Sequence, residues 1–234
     1  MAQLLSSKNL LHSLQPLVVG AISSAATLES VAADPSLAAG CDLLELRLDS
    51  IDLAPEESRP LAQRLGLPLL ITARHPEEGG SYNLDASERA ALLEAHLDLA
   101  VLMDVELRSA LELQATITKA KSRAVGVIGS FHDFNATPGD EVLRGAADFA
   151  LQFKLDAVKV ATTLQTGSDL ARLIQLVAAE KRLPISAMGM GNLGRASRLV
   201  LAKCGSLLNY GYVGESNAPG QWEASELKKL LNAL

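Results

Sequence analysis

The chain is poor in residues that carry several common chemistries. Aromatic residues make up 3% of its 234 positions, and it has only two cysteines, four histidines and one tryptophan. Cys41 and Cys204 show no CxxC spacing and no neighbouring histidine, which argues against a zinc site and a disulfide framework and fits a reducing cytoplasm. Both read as small buried apolar residues at the starts of strands. No run of lysine or arginine offers a footprint for a phosphate backbone, and the formal net charge is −6, so nucleic acid is not an expected partner. Unbroken apolar runs of ~18 residues are absent, so a membrane span is not expected either. The apolar "LVVGAISSAA" near the start has only Lys8 ahead of it as positive charge, too little for a secretion signal, and serves better as a first strand. His12, His75 and His96 have no spacing to His132 that a metal would need, so no metal ligand cluster is expected.

Repetition is what the chain does have. Short apolar runs recur as "LVVGAI" (17–22), "DLLELRL" (42–48), "PLLITAR" (68–74), "LAVLMDVEL" (99–107), "AVGVIGSF" (124–131), "DAVKVATT" (156–163), "LPISAM" (183–188) and "GSLLNYGYV" (205–213). They begin roughly 22 to 32 residues apart, the length of a strand, a helix and two short loops. The intervening segments carry helix signals: "DASERAALLEAHLDLA" and "SDLARLIQLVAAEKR" open on Asp or Ser caps, and "ASELKKLLNAL" closes the chain. Continuous Val/Ile/Leu strands covered by helices mean a parallel sheet buried on both faces. Eight units without a linker predict one domain over 1–234, a closed (β/α)8 TIM barrel. "GMGNLG" (189–194) matches a dinucleotide-binding turn literally, but no acid follows on the next strand and only one βα unit remains, so it reads as a glycine-rich loop leading into a helix N-terminus.

In such a barrel, chemistry belongs at the C-terminal ends of the strands. Glu45 and Arg47 fall there on strand two, Arg74 and then Glu78 after strand three, His132 after strand five, Lys159 in strand six, Arg198 after the glycine-rich loop and Gln221 after strand eight. Each has a bland reading. Glu45, Arg47 and Asp49 can form an interior salt-bridge layer, Arg74 and Glu78 a loop ion pair, and His132 a hydrogen-bonded core residue. Lys159 can snorkel to the rim, and Arg195 and Arg198 can be solvated helix residues. Convergence on one end of one barrel favours a site. Lysine is almost never buried without a reason, and one kept neutral by burial and neighbouring cations attacks a carbonyl to form an imine. A histidine, with its pKa of about 6.5, can then remove the acidified proton, and arginines can hold a carboxylate or hydroxyls. The set points to imine-based bond breaking in a polar, anionic keto substrate.

In order and spacing, "ELRLD", "TARHPEEGG", "DVEL", "SFHDFNATP", "DAVKVATT", "MGMGNLGRASR" and "NAPGQ" resemble the type I 3-dehydroquinate dehydratases of the shikimate pathway, over about residues 42 to 221. The resemblance implies a (β/α) barrel, a homodimer with no metal or cofactor, and 3-dehydroquinate as substrate. By position it implies that Lys159 forms the Schiff base, that His132 is general base and then acid, and that Glu78 orients and charges the histidine. It further implies that Glu45, Arg47 and Arg74 belong to the substrate-hydroxyl and polar network, that Arg198 binds the carboxylate, and that Gln221 is a ligand on the loop after strand eight. Asn217 stands where much of that family has serine, with Ser216 before it, and is expected to hydrogen-bond substrate through its amide. Strand one contributes nothing to this set, because Ala21 falls near the place of a substrate-binding serine and Ser23 two residues later. A class I aldolase shares the barrel and the lysine but does not explain "EEGG", "SFHDF" and "APGQ" together. A barrel without catalysis would not be expected to keep both Lys159 and His132.

Overall fold

The computed structural model describes residues 6–214 and 221–234. A strand begins in each apolar run: β1 (Leu17–Ile22), β2 (Leu43–Arg47), β3 (Leu69–Thr72), β4 (Leu102–Glu106), β5 (Gly126–Asp133), β6 (Ala157–Thr163), β7 (Ile185–Met190) and β8 (Leu208–Tyr212). All ladders are parallel, in the order β7-β6-β5-β4-β3-β2-β1-β8. The two ends of that order meet at a seam in which serine hydroxyls do much of the bonding. The Leu207 N–H donates to the Ile185 carbonyl at 2.9 Å, and the Leu208 N–H donates to Ser186 Oγ at 2.9 Å. Ser206 Oγ accepts from the Ala187 N–H at 2.9 Å and donates to the Ala187 carbonyl at 3.1 Å.

The α-helices among the described residues are α1 (Ser7–Leu11), α2 (Ala25–Ala33), α3 (Pro55–Ala62), α4 (Ala86–His96), α5 (Gln114–Ser122), α6 (Asp140–Gln152), α7 (Gly167–Ala179), α8 (Gly194–Lys203) and α9 (Ala224–Ala233). The cap expected for α4 is present: Asp85 accepts from the Glu88 N–H at 2.9 Å, and Glu88 accepts from the Asp85 N–H at 2.8 Å. α7 begins earlier than its Ser and Asp suggest, at an N-cap Thr166 whose N–H donates to Asp169 at 2.8 Å. Within "GMGNLG", Gly189 and Met190 finish β7, and Gly191–Leu193 form a 3-10 turn into α8. Cys41 is half-buried just before β2, but Cys204 is exposed. The reading of Cys204 as a buried strand start fails because α8 runs to Lys203 and β8 begins only at Leu208. No helix among the described residues is long and apolar enough to cross a membrane.

Two apolar clusters follow from the alternation of side chains along each strand. Val18, Leu44, Ile71, Met103, Val127 and Val158 face outward onto the helices. Val19, Leu43, Leu70, Leu102, Ile128, Ala157 and Leu208 face inward as the lower barrel interior, and Leu10 and Leu11 of α1 pack with them. Burying one such aliphatic side chain contributes about 1.5–3 kcal/mol. Two residues further along, the inward positions turn polar: Glu45, Thr72, Asp104, Ser130 and Lys159, all buried.

Candidate active site

Above that polar layer the barrel opens into a cavity of about 290 Å³. Glu45, Arg47, Arg74, Glu78, His132, Lys159, Arg198 and Gln221 all line it, so the structure brings together every described residue singled out from the sequence. Asn217 lies outside the described residues. A larger groove of about 600 Å³ runs along the outer faces of α6 and α7, and none of these residues lines it.

Lys159 is 3% exposed, so it does not snorkel. Its nearest charges are carboxylates rather than the expected cations: Nζ lies 3.0 Å from Asp104 Oδ2 and 3.8 Å from Glu45 Oε1. Glu45 is itself held by the Thr72 hydroxyl, which donates to Oε1 at 2.7 Å. Asp104 is the hub. Its Oδ1 accepts from Arg74 Nη1 at 2.8 Å and from Ser130 Oγ at 2.6 Å. Burial opposes its charge, but Arg74 and Lys159 outweigh that and hold the carboxyl well below the usual carboxylate range.

Arg74 does not pair with Glu78. Burial works against its guanidinium, yet Asp104 and Glu106 keep it charged, with Glu106 Oε1 at 2.8 Å from Nη1. Glu106 also accepts from Arg89 Nη1 at 2.9 Å, so charges alternate in sign from Arg89 through Glu106, Arg74 and Asp104 to Lys159. The bland reading of β2 is partly real: Arg47 Nε and Nη2 fork onto Asp49 at 2.9 and 2.8 Å. Arg47 Nη2 also donates to the Gly79 carbonyl at 3.0 Å, tying β2 to the loop that carries Glu78.

That loop needs its two glycines. Gly79 sits at φ +86°, and a Cβ on Gly80 would collide with the Arg74 carbonyl oxygen. The tight turn sets Glu78 beneath His132, where Oε2 accepts from the His132 N–H at 3.1 Å and lies 2.8 Å from Nδ1. Burial, then Arg74 and Lys159, pushes the imidazole well below its ordinary value, so it is neutral at pH 7. Nδ1–H then faces the carboxylate, and Nε2 carries the lone pair. Burial and the nearby Glu106 push Glu78 up to about 7.

Arg198 differs from the other cations. It is 4% exposed, its Nη1 donates to the Tyr210 carbonyl at 2.9 Å, and its Nε has no partner among the described residues. Burial without a facing carboxylate pulls the guanidinium down to about 10. A buried cation in a cavity wall with spare donors suits an anion. Arg195 is exposed, as expected, but its guanidinium lies 4.9 Å from the Trp222 ring, beside Gln221. Among the described residues no group of three or more His, Cys, Asp or Glu is arranged to hold a metal ion.

The model of the type I 3-dehydroquinase family matches residues 22–234. The chain belongs to that family. It is 33% identical over 197 residues to the 3-dehydroquinate dehydratase of Methanothermobacter thermautotrophicus, an alignment covering 84% of this chain and 86% of the relative. It is 35% identical over 195 residues to that of Desulfotalea psychrophila, covering 81% and 85%. The type I 3-dehydroquinate dehydratase of Clostridium difficile, solved with covalent modified comenic acid, superposes with a TM-score of 0.86 at 26% identity, over 100% of this chain and 98% of that one. Family membership accounts for the fold, while the local chemistry brings in residues that the sequence reading passed over. Tyr210 lines the cavity, Asp104, Glu106 and Ser130 form the buried network beneath it, and Ala21 and Ser23, left out of the set with strand one, line it as well because β1 ends at its mouth. The available signal was the one that drew attention to Lys159: "LMDVE" places two acids at alternate positions of an apolar strand, where only a buried countercharge keeps them.

Proposed function

We propose that this chain dehydrates 3-dehydroquinate to 3-dehydroshikimate through an imine on Lys159. The observation that carries the reading is one cavity in which a buried lysine, a neutral histidine backed by Glu78 and an Arg198 with no carboxylate partner among the described residues all meet. Arg198 takes the substrate carboxylate, and Glu45, Arg47, Arg74 and Gln221 surround its hydroxyls. Nζ gives a proton to the neutral His132 as it attacks the C3 ketone, and that proton leaves with the former carbonyl oxygen as water. His132 Nε2 next removes a proton from C2, and the electrons of that C–H bond flow into the iminium to give an enamine. Their return expels the C1 hydroxyl, protonated by His132, as a second water. Hydrolysis of the conjugated iminium frees the lysine and the product, so the net change is loss of one water. Glu78 keeps Nδ1 in the correct tautomer and stabilises the imidazolium. The homodimer and the cytoplasmic setting belong to the same reading, as does Asn217 as a substrate contact.

The test is borohydride reduction in the presence of 3-dehydroquinate, followed by peptide mapping. The expected outcome is a substrate-sized adduct on Lys159, absent in Lys159→Ala, with turnover reduced at least about 10⁴-fold. Turnover without an adduct would remove the imine, and absence of both would remove the substrate assignment.

A further inference from the structure

Lys159 Nζ lies 4.2 Å from the centroid of the Tyr210 ring, opposite in character to the two carboxylates that also approach it. Tyr210 comes from β8 and is 5% exposed. Its hydroxyl is buried with no hydrogen-bond partner among the described residues, an arrangement that opposes folding. Burial, with Glu45 and Asp104 behind it, holds the phenol proton in place, so the side chain is a neutral ring. Among the described residues the hydroxyl therefore makes no hydrogen bond that explains the residue, whereas the face of the ring meets Lys159.

We propose that Tyr210 is a catalytic residue whose ring face stabilises positive charge on the Lys159 nitrogen in both its ammonium and its iminium forms. The inference rests on the imine reading above. An ammonium plus a ketone gives an iminium plus water, so the nitrogen enters and leaves that step with one positive charge. The iminium must then keep its proton, because only the charged form draws in the electrons of the adjacent C–H bond strongly. Of the groups around Nζ, Glu45 from β2 and Asp104 from β4 attract that charge but are bases, and Arg74 from β3 and Arg198 from α8 repel it. His132 from β5 must be neutral again, its borrowed proton gone with the water, when it takes the carbon-bound proton. An aromatic face attracts the cation through its quadrupole and has no lone pair with which to remove the proton. The ring thus supplies stabilisation that a third carboxylate cannot.

The experiment compares Tyr210→Phe and Tyr210→Leu with the unaltered protein, by steady-state kinetics across pH and by borohydride trapping on 3-dehydroquinate. Phenylalanine keeps the face and removes the unpaired hydroxyl, so kcat is expected within about twofold of the parent. Leucine removes the face, and kcat is expected to fall about 10- to 30-fold with little change in KM. The alkaline limb of kcat should also move to lower pH in the leucine variant, because its iminium loses its proton more readily. If leucine does not fold, Tyr210→Met, another flexible apolar replacement, is read in its place. Parent-like kcat and alkaline limb in the leucine variant would overturn the proposal, and an equal loss in phenylalanine would transfer the role to the hydroxyl. Failure of the underlying reading looks different, since the parent protein itself would then turn over substrate without being trapped.

Discussion

The lower and upper halves of the barrel interior are built by the same strands and do opposite things. On β2 the inward side chains run Leu43, Glu45, Arg47, on β4 Leu102, Asp104, Glu106, and on β5 Ile128, Ser130, His132. One step of two residues, roughly 6.5 Å, separates hydrocarbon from charge. The lower layer is closed by Leu10 and Leu11 and offers nothing to water. The upper layer gains from that dryness because charges interact more strongly where water is excluded, and it suffers from it because each charge must be desolvated. Alternation of sign resolves the conflict: Arg89, Glu106, Arg74, Asp104 and Lys159 each have an opposite neighbour. Arg198 is buried outside that chain of pairs, which is why the proposed mechanism assigns the substrate carboxylate to it.

Substitutions can break this division of labour or sharpen it. Asp104→Ala should have the largest effect because it acts on stability and on chemistry at once. It leaves Arg74 and Lys159 short of countercharge, and chemical denaturation is expected to show a loss of about 3–5 kcal/mol together with near-complete loss of dehydration. A merely small stability change would mean that the upper layer is more hydrated than its burial implies. Leu102→Ala, directly below on the same strand, should cost about 2–5 kcal/mol of stability while kcat stays within about threefold of the parent. Loss of activity larger than that in still-folded protein would show the two layers to be coupled.

The smallest effect concerns Glu78. With its folded pKa at about 7 against 4.5 for the free side chain, its stabilising contribution is fully present below 4.5 and is lost as pH rises through about 7. Activity is expected to run the other way, since in the proposed mechanism the carboxylate is the form that backs His132. The kcat profile should fall roughly tenfold per unit below pH 7, while Glu78→Gln should raise stability above pH 7 by on the order of 1 kcal/mol and lower kcat. A glutamine variant that is both active and no more stable would remove Glu78 from its assigned position.

The barrel was legible because its evidence is repetitive: eight runs at regular spacing, each rich in Val, Ile and Leu, leave few other architectures. Strand ends were less so. β5 continues through His132 and Asp133 and β7 through Gly189 and Met190, beyond the apolar runs, because ladder bonding to β6 persists after the side chains turn polar. The eight candidate residues that line the cavity were legible as cations, acids, an imidazole and an amide in or after the strands. What could not be read was their pairing, which depends on register across strands far apart in sequence. Arg74 faces Asp104 and Glu106 rather than Glu78, and Lys159 meets acids rather than cations, because β3, β4 and β6 bring them to adjacent inward positions. Arg195 gave no sign of its contact with Trp222, since no local pattern links α8 to the segment before α9.

The serine-closed seam between β7 and β8 gives the ring a clasp. A hydroxyl can rotate and release an amide to water far more easily than two main chains can part along a ladder. Pulled or heated, the cylinder would therefore split along one line instead of shedding a strand at random. Arg198, on α8 between those strands, reaches from Met188 on one side to Tyr210 on the other, and so its anchorage spans that line. An anion clamped there would act as a rivet across the weakest part of the wall.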